Sequence, residues 1–421
     1  MNLTRRHFLQ AAGSAGVLLP LTGISQLAWG AENTDRDLLV IVFQRGGCDG
    51  LSLVSPVNDQ GYIDARAPEM RVAASGDKAG LALDSPMDAH IDFRLHPEAR
   101  ALQDLYKGKQ LAFIHAVGLP NGTRSHFEAQ DLIERGVADN QALKANTSGW
   151  LARSLSQMGA DSMVPAVAAV PGLSHMLQGA PHALALPDLQ AGVGLPGGPQ
   201  GLAALQALYA NRTDMVGAAG RGTLDALSAI DHQLPRGADN KVQNYQPAHN
   251  AVYDNNDLGR GLQAIARLSR MSVGLRVACV DQGGWDTHDN QPGRLNGQFG
   301  ALARNLAAFH DDMAGSGTRV TTVVMTEFGR RLRSNRSNGT DHGHGGLMMV
   351  MGETVQGGQI YGRWPGLATE QLDRGVDLAV TTDYRAVLSE VLVQQGLGKQ
   401  AIGSQVFPGY QPDLKLGLFR T

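Results

Sequence analysis

Residues 318–346 read TRVTTVVMTEFGRRLRSNRSNGTDHGHGG, and this stretch decides the predicted fold. It begins with an apolar, β-branched run from Val320 to Met325, which has the length of one buried strand. Polar residues follow at once, beginning with Thr326 and Glu327. Because open α/β sheets place their chemistry at the carboxyl ends of their strands, we expect functional groups at this position.

The second half of the stretch carries a dense set of potential metal ligands. Asp341, His342 and His344 lie within four residues, with glycines at 343, 345 and 346. Carboxylates and imidazoles bind divalent ions, and glycine lets the backbone approach an ion closely. A solvated polar loop is the alternative interpretation, but the concentration of ligands favours a metal or phosphate site.

Three further apolar runs have the pattern of buried strands, and they cover residues 38–43, 111–117 and 275–280. A glycine-rich turn with Asp49 follows the first run, and Asp286 and His288 follow the third. The last two form a plausible carboxylate–imidazole pair on one ion. Amphipathic helices are predicted at 96–107 and 295–313. This alternation predicts an α/β fold with a doubly wound, mostly parallel sheet flanked by helices.

A short polar segment follows the second run and precedes the helical sequence EAQDLIERG. It places Thr123 and Ser125 near a helix N-terminus, with Arg124 and His126 beside them. Free backbone N–H groups and the helix dipole favour negative charge there, which suits a nucleophile or a phosphate. Either hydroxyl is equally well explained as the N-cap of the helix, so both interpretations stay open.

Length and composition limit the remaining possibilities for fold and function. The chain of 421 residues is 43% hydrophobic and 18% charged, with a formal net charge of −3. This balance gives no electrostatic reason to bind nucleic acid. Two cysteines are too few for a disulfide framework, so we expect two separate buried thiols, although one bridge is possible. Residues 140–270 look mainly helical and are expected to form a cap or insertion.

The N-terminus has the pattern of a targeting segment. Arg5 and Arg6 precede a moderately apolar stretch, and Ala28 and Gly30 offer small residues for a signal peptidase. The pattern resembles a twin-arginine export signal over residues 1–30, with a cytosolic helix as the alternative. We therefore expect a periplasmic or secreted domain over 31–421, which meets the twin-arginine translocase during export. The sequence has no later run of 18 apolar residues, so we expect no membrane anchor after cleavage.

Taken in order, these motifs resemble the alkaline phosphatase superfamily, which includes sulfatases, nucleotide pyrophosphatases and phosphoglycerate mutases. The mature chain also resembles a bacterial family of twin-arginine-exported, sulfatase-like proteins known only as a domain of unknown function (fifteen-oh-one). The motifs that carry this second resemblance are GGCDGL, RSHFEAQ, GGWDTH, TEFGR and DHGHGG.

The resemblance implies an alkaline-phosphatase-like domain that hydrolyses phosphate or sulfate esters of a small molecule or glycan. It also implies one or two divalent ions, which could be Zn, Ca, Mg or Mn. Ser125, or less favourably Thr123, resembles the nucleophile, and Arg124 and His126 would contact the anion. The positions that resemble metal ligands are Asp49, Asp286, His288, either Glu327 or Asp341, and either His342 or His344.

The chain also departs from the superfamily pattern. Asp286 and His288 are closer in sequence than the usual pair, and Phe328 stands where a second-site histidine is usual. No Cys-x-Pro-x-Arg motif is present, which argues against a formylglycine sulfatase. A non-catalytic exported protein that keeps the fold and binds a metal or a glycan is therefore the main alternative. An assembly factor for other exported proteins is a third.

Overall fold

The computed structural model describes residues 37–84, 87–159, 162–190, 192–194, 197–412 and 416–420. The predicted signal peptide at 1–30 lies outside these residues. Residues 35–421 group into one compact unit. Within the described part of the chain, no helix combines the length and apolar character needed to cross a membrane. Cys48 and Cys279 are both buried and unpaired, as expected.

A nine-stranded sheet forms the centre of the molecule. Its strands in chain order are β1 (Asp37–Gln44), β5 (Leu111–Gly118), β6 (Ala166–Ala168), β7 (Ala183–Ala185), β8 (Val277–Gln282), β9 (Arg319–Thr326), β10 (Gly346–Gly352), β11 (Gln359–Tyr361) and β12 (Thr382–Asp383). A separate three-stranded sheet contains β2 (Val54–Pro56), β3 (Leu81–Ala82) and β4 (Phe93–Leu95).

The spatial order of the large sheet is β11-β5-β10-β9-β1-β8-β6-β7, and β12 also pairs with β5. β1 lies in the middle and pairs in parallel with both β8 and β9. Only β10 runs antiparallel to its two neighbours. The predicted large, mostly parallel sheet is therefore confirmed. Its continuous apolar strands are buried on both faces, as parallel sheets require.

The helices are short on average, with two long exceptions. They are α1 (Gly50–Leu53), α2 (Gln60–Ala65), α3 (Arg100–Lys107), α4 (His126–Glu134), α5 (Asn140–Ala145), α6 (Trp150–Met158), α7 (Gly198–Ala210), α8 (Met215–Gln233), α9 (Asp257–Ser269), α10 (Gln291–Met313), α11 (Tyr384–Gln394) and α12 (Lys399–Ala401). The predicted helix at 295–313 begins four residues earlier, because Pro292 is tolerated in a first turn that needs no N–H donor.

Alternate side chains of β1 separate two hydrophobic cores. Leu39, Ile41 and Phe43 pack on one face of the sheet with residues of α4, α6 and α11. Leu38, Val40 and Val42 pack on the other face with residues of α3, α9 and α10. Successive strand side chains point to opposite faces, so a continuous apolar run fills both cores. Helices therefore cover both faces of the sheet.

Two short strands from the stretch predicted as a cap, β6 and β7, join the edge of the large sheet beside β8. The rest of residues 140–270 contains the helices α5 to α9, joined by long loops. The carboxyl ends of β1, β5, β8 and β9 share one edge of the sheet, and the antiparallel β10 begins at that edge. The loops that follow or precede these strands therefore converge.

Candidate metal centre

Three side chains meet at this edge in a possible metal-binding triad: His126, Asp286 and His342. One ligand atom from each lies within 4.8 Å of the others, and no second group of this kind occurs among the described residues. His126 lies at the start of α4, which follows β5. Asp286 follows β8, and His342 precedes β10. Residues that are distant in sequence therefore share one site because their strands end together.

Glu327 fixes the ring of His126. Glu327 follows β9 and is fully buried. His126 Nδ1 lies 2.9 Å from Glu327 Oε1, which also accepts hydrogen bonds from Gly46 N and Gln130 Nε2, each at 2.8 Å. The hydrogen bond to Glu327 raises the pKa of His126 above its ordinary value of 6.5. A carboxylate behind an imidazole orients the ring of a metal ligand and increases its basicity.

His126 Nε2 faces the triad. It is buried, and it has no hydrogen-bond partner among the described residues. It lies 3.5 Å from Asp286 Oδ2. When the ring is neutral, its one proton lies on Nδ1 in the bond to the Glu327 carboxylate, and the Nε2 lone pair points towards Asp286. A buried polar atom without a partner is costly unless something else satisfies it.

His342 is held in the same way. Its Nδ1 lies 2.8 Å from the backbone carbonyl of Arg124, which can only accept, so Nδ1 is the protonated nitrogen. Its Nε2 lies 3.1 Å from Asp286 Oδ1. Burial lowers the pKa of His342 below its ordinary value, which favours the neutral form that binds metals.

Asp286 is the anion of the triad. Burial raises the pKa of Asp286, but the hydrogen bond from Arg330 and the contact with the His342 ring outweigh that effect and lower the pKa to about 2. Arg330 Nη2 lies 2.6 Å from Asp286 Oδ1. The Arg330 side chain is fully buried and also donates to the carbonyls of Gly46, Gly47, Thr340 and Trp285. This one guanidinium thus ties together three of the loops that surround the site.

His288 lies at the exposed rim of the triad, with its side chain 45% exposed. Its Nε2 lies 3.0 Å from Asp286 Oδ1 and 2.9 Å from His342 Nε2. Its Nδ1 lies 3.3 Å from Asp341 Oδ1. His288 therefore faces a carboxylate with each ring nitrogen, an arrangement that suits a group that holds and transfers a proton.

The donor atoms lie close enough together to share one ion. Ligand atoms about 2.1 Å from a tetrahedral Zn²⁺ lie about 3.4 Å apart. His126 Nε2 is 3.5 Å from Asp286 Oδ2, His342 Nε2 is 3.1 Å from Asp286 Oδ1, and one ligand atom of each residue lies within 4.8 Å of the others. Phe328 packs against both imidazoles, with ring centroids 4.9 Å from each. The site is thus built from imidazole and carboxylate donors beside an apolar wall.

A family model described as "Protein of unknown function (DUF1501)" matches residues 111–398. The chain belongs to the DUF1501 family. No curated protein matches it. The matched segment contains the triad together with Glu327, His288 and Asp341, whereas Asp49 precedes it.

In this DUF1501 protein, Asp49 does not join the triad. It is buried as the N-cap of α1 and forms an ion pair with both terminal nitrogens of Arg66. It also accepts hydrogen bonds from Ser52 and Gln291. Despite burial, which raises it, the pKa of Asp49 is lowered by Arg66. Both carboxylate oxygens are therefore occupied by protein donors, and the predicted ligand role has no support in these contacts.

His344 also turns away from the triad of the DUF1501 protein. Its Nδ1 lies 3.0 Å from Asp373 Oδ2, and its Nε2 lies 2.8 Å from the carbonyl of Leu119. Both nitrogens are used by the protein. Of the two predicted alternatives, His342 lies in the triad. Of the two carboxylates, Glu327 contacts His126 and Asp341 contacts His288, so each lies behind a histidine.

The predicted catalytic residues, 123–126, contact the site through atoms other than those expected. The guanidinium of Arg124 pairs with the buried Asp377, and only its backbone carbonyl reaches His342. Ser125 is the N-cap of α4 and accepts a long 3.5 Å hydrogen bond from Glu128 N. Thr123 Oγ1 donates to Glu128 Oε2 at 2.6 Å. Ser125 is thus the less engaged of the two hydroxyls.

Three contributors to the DUF1501 site were assigned no role from the sequence: Gln130, Arg330 and Gln291. Gln130 ends the RSHFEAQ motif four residues after His126, one turn along α4, so helical spacing could have indicated it. Arg330 ends the TEFGR motif, but no local pattern indicates that its side chain is buried between the loops.

Proposed function

We propose that this protein is an exported, metal-dependent hydrolase of phosphate or sulfate esters with an alkaline-phosphatase-like fold. One divalent ion would be held by His126, Asp286 and His342. The observation that carries the proposal is the buried, unpartnered Nε2 of His126, which lies beside an anionic carboxylate and a neutral imidazole. A cation at that point would give His126 Nε2 a partner and would also contact Asp286 and His342.

The donors among the described residues support one ion rather than two. The nitrogen-rich triad suits a borderline ion such as Zn²⁺ better than Ca²⁺ or Mg²⁺, which prefer oxygen ligands. The superfamily resemblance assigns Asp49 and Glu327 to metal binding, but both carboxylates already have protein partners. Asp49 is paired with Arg66, and Glu327 contacts His126. We therefore propose a single-ion centre.

A bound divalent ion would polarise the ester and offset the negative charge that develops on its oxygens. The residues of the chain have separate roles around it. The hydroxyl of Ser125, exposed and weakly engaged next to His126, would attack the phosphorus or sulfur atom and lose its proton to solvent, while the bond to the leaving group breaks. His288, supported by Asp341, would give a proton from Nε2 to the leaving oxygen, and water would then cleave the ester on Ser125 to release phosphate or sulfate. The substrate would be a small-molecule or glycan ester.

The N-terminal twin-arginine pattern supports export, and we propose that the mature domain acts in the periplasm or outside the cell after passage through the twin-arginine translocase. Such export carries folded proteins, which allows a metal ion to be bound before transport. The proposal is tested by following the cellular fraction of the wild-type chain and of a chain with Arg5→Lys and Arg6→Lys.

The enzymatic proposal is tested by turnover. Purified protein is supplied with Zn²⁺ and offered aryl phosphate and aryl sulfate esters, beside Asp286→Asn and Ser125→Ala. Both variants are expected to lose metal-dependent hydrolysis. Ser174→Ala, which removes the N-cap serine of a distant turn, is the control and should keep it. Full activity in both Asp286→Asn and Ser125→Ala would refute the mechanism.

One observation favours a second candidate, an exported protein that binds a metal or glycan without turnover. Among the described residues no contact joins Ser125 Oγ to the triad, and the hydroxyl has a structural role as an N-cap. A protein of this kind would bind Zn²⁺ through the triad and release no product from any ester. Metal binding without turnover would therefore select this candidate.

A further inference from the structure

Gln291 connects the two loops that carry most of the site. It is the first residue of the 23-residue helix α10 and is 1% exposed. Its Oε1 lies 3.0 Å from Thr287 Oγ1 and 2.6 Å from Thr340 Oγ1. Thr287 stands between Asp286 and His288, and Thr340 precedes Asp341 and His342. A single amide oxygen thus accepts one hydrogen bond from each loop.

The orientation of this amide is determined by a buried ion pair. Gln291 Nε2 donates to Asp49 Oδ2 at 2.7 Å. A carboxylate can only accept, so Nε2 must face Asp49 and Oε1 must face the threonines. Asp49 is held in turn by Arg66, and both side chains are almost completely buried. The network has every member satisfied, which is the condition under which buried polar groups rigidify a structure.

We propose that Gln291 is a positioning residue that holds the 286–288 and 340–342 loops in register for metal binding. The inference deepens the proposed function and rests on it for the role of the metal, but the coupling of the two loops is measurable without any ion. It also explains the buried Asp49, whose carboxylate orients the Gln291 amide. Helix α10 is anchored in the core through Leu295 and Phe299, so the loops are tied to a rigid element.

The test uses near-isosteric substitutions, two that each remove one hydroxyl and one that removes the amide. In the full chain without metal, hydrogen–deuterium exchange of the 286–288 and 340–342 segments is measured for Thr287→Val, Thr340→Val and Gln291→Met. Gln291→Met is expected to speed exchange about tenfold in both segments, because both loops lose the shared acceptor. Each threonine variant releases its own loop directly, and the other segment is expected to follow because the two loops are then no longer held together. Thr287→Ser keeps the hydroxyl and should restore protection.

The matched control is Thr322→Val. Thr322 is fully buried in β9, and its hydroxyl has no hydrogen-bond partner among the described residues. This change should leave the exchange rates of both segments unchanged. Unaltered exchange in Thr287→Val and Thr340→Val would overturn the proposal, and so would equal acceleration in Thr322→Val. If Gln291→Met does not fold, the two threonine variants alone decide whether Gln291 couples the loops.

A second readout separates this inference from the proposed function. Co²⁺ is titrated into each protein, and its affinity and visible absorption spectrum are recorded. Thr287→Val and Thr340→Val are expected to weaken Co²⁺ binding about tenfold and to alter the spectrum, with recovery in Thr287→Ser. If the wild-type chain binds no Co²⁺, the metal-centre proposal fails, and the exchange data alone decide whether Gln291 couples the loops.

Discussion

Glu327→Gln is the perturbation that reports most clearly on the metal centre. Glu327 is fully buried, and its Oε1 accepts three hydrogen bonds, including the one from His126. Its Oε2 accepts a fourth from Thr326 Oγ1 at 3.0 Å. An amide of the same size keeps an oxygen for the first three and removes the negative charge. The change therefore alters the basicity of His126 with little change in packing.

The expected magnitude follows from the place of Glu327 behind a metal-binding imidazole. Changes of such partners typically cost about 10- to 100-fold in metal affinity, which corresponds to about 1.4–2.7 kcal/mol. The affinity for Zn²⁺ is measured by competition with a chromophoric chelator, on wild-type protein and on Glu327→Gln. Glu353→Gln, an exposed position, is the control and should match the wild type.

The contact between Glu327 and His126 is the basis of this prediction. If Glu327→Gln binds Zn²⁺ within about twofold of the wild type while His342→Ala has lost binding, Glu327 does not support His126 as a ligand. A large loss of folding stability without any change in affinity would also contradict the prediction, because the carboxylate would then be structural only.

Three further predictions concern groups around the triad. His288→Gln is expected to keep Zn²⁺ and lose ester turnover; loss of the ion, measured by elemental analysis, would make His288 a ligand instead. Arg330→Met should lower the free energy of unfolding by about 3–5 kcal/mol in urea denaturation, because Asp286 and four carbonyls lose a buried donor. The exposed Arg333→Met should change it by less than about 0.5 kcal/mol. The pKa of Asp49 is lowered in the fold from its ordinary value of 3.8, so its stabilising effect is complete above that value and is lost as the pH falls through and below it. Asp49→Asn should therefore flatten the acid side of the stability curve, and an unchanged slope between wild type and variant would refute this.

Much of the fold follows from short-range patterns. The apolar runs that predict β1, β5, β8 and β9 are continuous because both faces of the sheet are covered, and such runs are readable without knowledge of tertiary contacts. The antiparallel direction of β10 has no local signal, since strand direction depends on the path of the preceding loop.

The site was partly predictable from the same short-range patterns. Asp286 and His342 follow or precede strands whose ends meet, so the alternation of elements was enough to indicate Asp286 and one of His342 and His344 as candidate ligands. His126 was expected to contact an anion, because the sequence showed a helix start but not the direction of the ring. Asp49 was indicated by its strand-end position, and only the tertiary fold brings Arg66 to both of its oxygens.

The central claim is that each chain holds one divalent ion in the His126–Asp286–His342 triad. Elemental analysis of protein purified from an exporting host and then equilibrated with Zn²⁺ tests it directly, with His342→Ala treated in parallel. We expect about one equivalent of metal in the wild-type protein and none at this site in the variant. Equal metal content in both proteins, whether none or one, would contradict the claim, and two equivalents would contradict a single-ion centre.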